Sequence, residues 1–470
     1  MSRSSKPGQT RPGQTRPGQT KPGRRAGWRK GQGRGKRQAS AIARQTLDVT
    51  IDTLGSGGDG VATAMVAGRM QSLYVAGTLA GERVRVETIA KRGDGVVGNV
   101  LEVIAPSALR VEPGCGYYDR CGGCALQHVD GATYAAWKRD RVVQALRQRG
   151  FSDPPVPDPV LIGEGARRRV TFTAQKRAKH VTLGFNARAS HDVVAVDRCP
   201  LLVDALNDLI APLSVALGAV LADGARTRVH VTDCENGADV LIEGDCAPDL
   251  QAREALAEFV KDATLVRVSW RQSGLAVEPI VQRAAPLVSL SGVPVELPTG
   301  TFLQASVAGE HAIRDAVLAG IGGEARRVAD LYCGLGSFTL PLSEHVIVDA
   351  VDAARAPVRA LERAAGRANL GGRVMASVRD LGRQPLDSAE LAKFDAVVFD
   401  PPRAGAIDQV RNLADAIADV PRVVAVSCNP ASFARDARVL VDGGYKLVSV
   451  QPIDQFTYSP HVELVAHFVG

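Results

Sequence analysis

The chain has 470 residues, too many for a single core, so about two to four domains are expected, and its 45% hydrophobic content is that of ordinary globular protein. No run of eighteen apolar residues appears and no apolar stretch follows the basic N-terminus, which argues against a membrane span and a secretory signal and makes a cytoplasmic protein the expectation. The net charge of +7 is unevenly held: residues 1–45 carry thirteen Lys and Arg and no acid, which leaves −6 for the remainder.

Those first 45 residues repeat a five-residue unit, Lys6-Pro7-Gly8-Gln9-Thr10 and then Arg11 to Thr15 and Arg16 to Thr20. Proline and glycine at this density, with almost nothing apolar, cannot offset the entropy of folding, so a disordered basic tail is expected. Such an arm either contacts nucleic-acid phosphates or only solubilises the chain. Residues 46–105 read as five short strands punctuated by glycine: Leu47 to Ile51, Gly60 to Val66, Gln71 to Val75, Glu82 to Ile89 and Gly98 to Val103. That spacing predicts a small closed barrel of the OB type, a fold that commonly binds single-stranded nucleic acid.

Residues 106–297 mix strands (Arg168 to Ala174, Val193 to Val196, Leu265 to Ser269) with helical stretches around Tyr134 to Arg149 and Leu201 to Leu221, an α+β pattern whose topology the sequence leaves open. From residue 298 to 470 strands alternate with helices: Arg327 to Leu331, Val346 to Val351, Arg373 to Val378, Phe394 to Phe399 and Arg422 to Val426. This predicts an α/β doubly wound, Rossmann-like sheet. The last two runs, Lys446 to Pro452 and His461 to Val469, are expected to form an antiparallel hairpin at one edge.

In such a sheet ligands sit beyond the carboxyl ends of the strands. The first strand runs into Asp330-Leu331-Tyr332-Cys333-Gly334-Leu335-Gly336-Ser337-Phe338, whose glycines permit a tight turn. The second ends at Asp352, eighteen residues past Gly334, where an acid can accept the hydroxyls of a ribose. NAD and S-adenosylmethionine both fit this pattern, although Thr339 stands where a dinucleotide fingerprint has its third glycine.

The fourth strand ends in Asp400-Pro401-Pro402-Arg403 and the fifth in Ser427-Cys428-Asn429-Pro430, so three strand ends open on one crevice. A lone cysteine is more often inert packing, but one placed there can act as a nucleophile, and Arg403 beside it is expected to lower its pKa. Methylation of carbon 5 of a uracil needs such a thiolate. Addition to carbon 6 makes carbon 5 electron-rich enough to attack a methyl donor, after which a base removes the carbon-5 proton. Glu463, in His461-Val462-Glu463, is the candidate base and His461 its rival. Elsewhere Cys115, Cys121, Cys124 and Cys199 form a C-x5-C-x2-C run plus one, and four thiolates suit zinc or a four-iron cluster equally by spacing. Gly116, Gly122 and Gly123 would let amides reach these sulfurs, while Cys234, Cys246 and Cys333 belong to no motif and are read as structural.

Together these motifs resemble the RNA uracil-5 methyltransferase family, in particular its bacterial members with an N-terminal TRAM barrel and a four-iron, four-sulfur cluster. The resemblance runs from about residue 46 to the C-terminus and includes Gly57-Gly58-Asp59-Gly60-Val61-Ala62 and Val75 to Glu82. It implies S-adenosyl-L-methionine as methyl donor, contacted by Gln304 in Phe302-Leu303-Gln304 and by Tyr332, Ser337, Asp352, Asp380 and Asp400. It also implies Cys428 as nucleophile, Glu463 as base, and a [4Fe-4S] cluster on the four cysteines in preference to zinc. Barrel plus cluster is more typical of the 23S ribosomal RNA enzymes than of the tRNA enzyme, so RNA, with 23S rRNA favoured over tRNA, is the expected partner of a monomer that engages no membrane. Two other readings stay open: a non-catalytic RNA-binding or ribosome-assembly factor, and an RNA methyltransferase acting on tRNA, on cytosine carbon 5 or on a base nitrogen.

Overall fold

A computed structural model describes residues 44–93, 95–262 and 264–470. The repeat tail expected to be disordered lies outside the described residues, apart from its last two positions. Among the described residues no helix is long and apolar enough to cross a membrane.

The first sheet confirms the expected run of short strands and adds a two-residue one. Thr46–Thr50 pairs with Arg83–Arg92, which pairs with Gly95–Ala105. That strand runs parallel to Arg69–Ala76, followed by Asp59–Val66 and the short Thr53–Leu54. The two ends of this order are one bent strand. At the bend Ile51 N donates to Glu82 O at 2.9 Å while Asp52 N donates to Val61 O at 2.8 Å. The sheet therefore closes on itself and leaves no long edge. Alternation explains the filling: Ala62, Ala64 and Val66 face inward from one strand, and Val84 and Val86 from another.

The middle of the chain builds a seven-stranded mixed sheet in the order 193–195, 180–186, 169–177, 226–232, 238–244, 265–272, 277–282. Its one parallel pair, Ala238–Gly244 with Leu265–Gln272, is joined through helix Leu250–Asp262. The stretch read as helical from Leu201 to Leu221 is two helices, Asp204–Asp208 and Ile210–Val220.

The C-terminal sheet has the order 374–378, 347–352, 327–331, 396–399, 422–427, 463–469, 446–454, 160–161. Its first five strands are parallel, and the central ones are mostly apolar because both faces are covered, whereas the edge strand Val374–Val378 is largely exposed. Ala329, Leu331, Val397 and Phe399 point into one core layer, and Val328, Ala396 and Val398 into the other. The expected hairpin forms, but its second strand, Glu463–Val469, inserts between Arg422–Ser427 and Lys446–Asp454. Glu463 is thereby carried from the rim to beside the fifth strand. Packing also ignores chain order: helix Gly131–Arg147 buries Val142, Val143 and Leu146 in the core of this sheet, and Val160–Leu161 extends it beyond Ile453.

Candidate active site

Strand order reverses at Arg327–Leu331, so the turn after it opens at the point where doubly wound sheets bind ligands. Tyr332 and Cys333 both donate backbone N–H groups to Val351 O, at 2.8 and 3.1 Å. This closure holds Tyr332 at φ +64, a left-handed conformation that a bulky residue adopts only under constraint. At Gly336, φ is +93 and a Cβ would lie 2.5 Å from Leu361 Cδ1, so only glycine lets the turn rest on helix Arg355–Arg367. Asp352 closes the turn from the next strand: Gly334 N donates to its Oδ2 at 3.0 Å and Ala354 N to its Oδ1 at 2.7 Å. Each oxygen keeps a lone pair for a ligand.

Beneath the turn, Asp330 is fully buried and accepts from Thr339 Oγ1 at 2.5 Å, while its Oδ1 has no partner among the described residues. Burial, with Asp400 and Asp352 nearby, pushes its carboxyl up to about 7.

Cys428 follows the fifth strand and is half-buried. The next residue, Asn429, caps helix Pro430–Asp442 and donates Nδ2 to Arg403 O at 2.9 Å, which ties the cysteine turn to the Asp400–Arg403 turn. Burial pushes the Cys428 thiol up to about 11, and the Glu463 and Asp400 carboxyls add to the rise. Arg403 acts in the expected direction, downward, but is outweighed, which corrects the expectation of a lowered pKa.

Glu463 is 3% exposed. Burial and then Asp400 push it up to about 8, against hydrogen bonding from Gln455 and the charge of Arg403. Asp400, half-buried, is itself pushed up to about 7 by burial. Cys428, Asp400, Arg403 and Glu463 are thus near enough for each carboxyl to perturb the thiol, and the two carboxyls repel each other. His461 is more exposed; burial and then Arg403 push it below the ordinary histidine range.

Gln304 reaches the same region through a residue that no motif announced. Gln455 accepts from Ala305 N at 3.1 Å with its Oε1, which fixes the orientation of its amide. Its Nε2 then donates to Gln304 Oε1 at 2.7 Å and to Glu463 Oε2 at 2.9 Å. Gln304, Gln455 and Glu463 are all buried. Because its Oε1 is occupied, Gln304 is left with its amide protons for any ligand. Two other expected contacts are looser. Asp380 is exposed and accepts from Gly382 N at 3.0 Å and from Arg383 at 3.3 Å, and Ser337 lies half-buried within the turn.

The cysteines Cys115, Cys121, Cys124 and Cys199 line one cavity with Tyr117, Gln127 and Arg167, and none is in a disulfide. Burial pushes Cys124 up to about 12, and the neighbouring thiols raise it further. Gln127 Nε2 is buried without a hydrogen-bond partner and its side chain favours the Cys124 thiolate. Thiols gathered around one cavity are potential metal ligands once ionised, and the Gln127 N–H can donate to such a sulfur. Among the described residues, however, no three His, Cys, Asp or Glu side chains converge tightly enough to hold one metal ion. Gly123 N donates to Cys121 Sγ at 3.4 Å as the glycines suggested, whereas Gly122 N goes to Asn186 O at 2.9 Å instead. Of the remaining cysteines, Cys234 and Cys333 are buried and Cys246 is exposed.

The cavity is connected to the loop that leads to Glu463. Ala125 N and Leu126 N, following Cys124, both donate to Tyr458 O, at 2.8 and 3.2 Å. Lys138 and Asp454 form a fully buried ion pair at 2.6 Å, and Tyr134 donates to the other Asp454 oxygen. Helix Gly131–Arg147 therefore clamps the segment that leads to Glu463, an arrangement that only the tertiary fold reveals.

With this geometry in place, the chain can be set beside known proteins. The family model for tRNA (uracil-5-)-methyltransferases matches residues 296–468. A protein of Agrobacterium fabrum described as an RNA methyltransferase is 38% identical over 428 residues, covering 90% of this chain and 99% of its own. The 23S rRNA (uracil(1939)-C(5))-methyltransferase RlmD of Aeromonas hydrophila is 31% identical over 442 residues, covering 92% and 98%. The crystal structure of Pyrococcus abyssi tRNA (uracil-54, C5)-methyltransferase with S-adenosyl-L-homocysteine superposes with a TM-score of 0.68 at 21% identity, over 90% of this chain and all of that one, and so shares its fold. A crevice at the switch point of a doubly wound sheet, and relatives that align over nearly their whole length, lead to one conclusion: the chain belongs to the S-adenosylmethionine-dependent RNA uracil-5 methyltransferases.

Proposed function

We propose that this enzyme methylates carbon 5 of one uridine in 23S ribosomal RNA through a covalent bond between Cys428 and carbon 6. The observation that carries this reading is the grouping of Cys428, Asp400, Arg403 and Glu463 at the strand ends, where Asp400 and Glu463 both act on the thiol and Asp400 acts on Glu463. S-adenosylmethionine, when bound, supplies the electrophilic methyl group. Tyr332, Ser337, Asp352, Asp380, Asp400 and the amide of Gln304 are the residues that would hold it.

The Cys428 proton passes to Asp400, a carboxyl raised into the range where both its forms are populated near neutrality. The sulfur then bonds to carbon 6, and the electrons of the ring double bond move to carbon 5 and the adjoining carbonyl. Carbon 5 takes the methyl group. Glu463, ionised at this stage, removes the carbon-5 proton, the double bond re-forms, and the sulfur–carbon bond breaks to return the thiolate.

The closed N-terminal barrel serves as the TRAM-type RNA-binding module. The four cysteines hold a [4Fe-4S] cluster. All four line one cavity, and the preference for a cluster over a single zinc rests on the resemblance of their spacing to that of the family's cluster. The enzyme acts as a cytoplasmic monomer. Similarity to RlmD over 92% of the chain supports ribosomal RNA as the target.

The test uses RNA carrying 5-fluorouridine, from which no carbon-5 proton can be removed. A trapped adduct on Cys428, absent from Cys428→Ala, is expected. An active enzyme that forms no adduct refutes the covalent route, and mapping of 5-methyluridine in 23S rRNA from cells without the gene decides the target.

A further inference from the structure

Helix Gly131–Arg147 places Tyr134, Lys138 and Arg141 on one stripe, at positions i, i+4 and i+7. The first two are engaged by Asp454. Arg141 is not. Its Nε and Nη1 are buried without a hydrogen-bond partner among the described residues, and its guanidinium faces the Trp137 ring at 5.2 Å. Burial alone pushes its pKa down, with no carboxylate opposing the shift. A buried guanidinium without an acceptor is costly, and an anionic ligand would remove that cost.

A second cation, Arg403, touches His461. Arg403 Nη2 is 3.4 Å from His461 Nδ1, a neutral partner, and among the described residues neither Arg403 nor Arg141 has a carboxylate within ion-pair distance. The His461 ring stands edge-on to Phe456 at 6.0 Å, and its carbonyl accepts from Lys138 Nζ. Burial first, then Arg403, Lys138, Arg141 and Arg167, push His461 downward, so Arg141, one turn beyond Lys138 on the same helix, acts on the residue that Lys138 and Arg403 contact. Arg403 also acts on Cys428 and Glu463, so this positive focus adjoins the reacting groups.

We propose that Arg141 and Arg403, both close to His461, form a subsite for a phosphodiester of the RNA strand that carries the target uridine. It takes from the reading above only that RNA is the substrate. A phosphate suits these groups because guanidinium N–H donors bond its oxygens, and the neutral imidazole beside Arg403 can supply or accept one more hydrogen bond.

The decisive variant is Arg141→Met in the full chain. KM for RNA should rise about tenfold, as loss of one charge-assisted bond gives. The plot of log Kd for RNA against log salt should become shallower by about 0.7 to 0.9, the value for one phosphate contact. Turnover at saturating RNA and KM for S-adenosylmethionine should not change, and the free variant should melt above wild type because a buried unpaired charge is gone. An unchanged salt slope, a lower melting temperature, or a loss that falls on the methyl donor overturns the proposal, the last by assigning the subsite to the donor's carboxylate. A second arm leaves the protein untouched: neutral methylphosphonate linkages are placed one at a time around the uridine, and one of them should weaken wild-type binding. If none does, no phosphate is held there. Adduct formation on 5-fluorouridine RNA at saturation is expected to persist in Arg141→Met, so failure of this subsite is separable from failure of the Cys428 chemistry.

Discussion

Gln455 donates its Nε2 to Glu463 Oε2 at 2.9 Å, and the same nitrogen holds Gln304 Oε1 at 2.7 Å. The residue proposed to remove the carbon-5 proton and the residue proposed to face the methyl donor are thus oriented by one amide. This bond favours ionised Glu463, against the burial that raises it to about 8. Gln455→Leu therefore has a definite expected outcome: turnover falls roughly ten- to a hundredfold, as loss of a bond to a charged group implies, and the rising, acidic limb of the rate profile moves to higher pH. A profile that keeps its wild-type midpoint would show that Gln455 does not set the protonation of Glu463.

Turnover itself should rise with pH. Glu463 must be ionised to act as a base and is held up at about 8, and the Cys428 thiol is held up at about 11, so each reactive form gains population as pH increases. The expected profile climbs between about pH 7 and 9. Glu463→Gln should still allow addition of Cys428 to ordinary RNA and methylation of carbon 5, but not release, so a covalent protein–RNA complex should accumulate on a denaturing gel. Rapid release by that variant would reassign the base, with His461 the next candidate.

Much of this arrangement was legible in the sequence, for reasons that can be named. Parallel strands buried on both faces read as continuous apolar runs, and Arg327–Leu331 and Arg422–Ser427 appear where those runs are. Strand ends in such a sheet share one rim, so Asp352, Asp400 and Cys428 could be placed together from spacing alone. What spacing cannot supply is the energetics of contact. Arg403 stands beside Cys428 as expected, yet burial and two carboxyls outweigh it. Gln455 carries no signal because an amide's role depends on three partners more than a hundred residues distant or on the neighbouring strand. The packing of helix Gly131–Arg147 against the C-terminal sheet was hidden for a related reason: its apolar face announces burial but not the partner.

Asp330 should make stability depend on pH in a predictable direction. Its folded carboxyl is raised to about 7 from an ordinary 3.8, so the protonated form is favoured by folding. Stability from this group is fully present below about pH 4 and is lost as pH rises through about 7. The full difference is on the order of 4 kcal/mol, since a tenfold change in proton affinity is worth about 1.4 kcal/mol. Asp330→Asn cannot ionise, so its melting temperature relative to wild type should improve between about pH 4 and 7 and level off above that. The change with pH is the informative quantity, because the new amide places an unsatisfied donor where Oδ1 now lies unpartnered. A relative melting temperature that stays flat across that range would mean Asp330 is ionised throughout.

The Lys138–Asp454 pair gives the last prediction, and it joins stability to catalysis. Both side chains are buried, at 0% and 1% exposure, and Asp454 is also bound by Tyr134 while Lys138 holds the carbonyls of Phe456 and His461. Lys138→Met leaves a buried carboxylate without its cation, a change that costs about 3 to 5 kcal/mol in comparable settings. It also frees the loop that leads to Glu463. Denaturant unfolding should show the lost stability, and turnover should fall at saturating substrates because Glu463, the proposed base, is no longer held against Gln455. Pairing the change with Asp454→Asn removes the stranded charge, so the double variant should regain much of the stability while turnover stays low. If turnover recovers in step with stability, the clamp serves the fold alone and has no part in positioning Glu463.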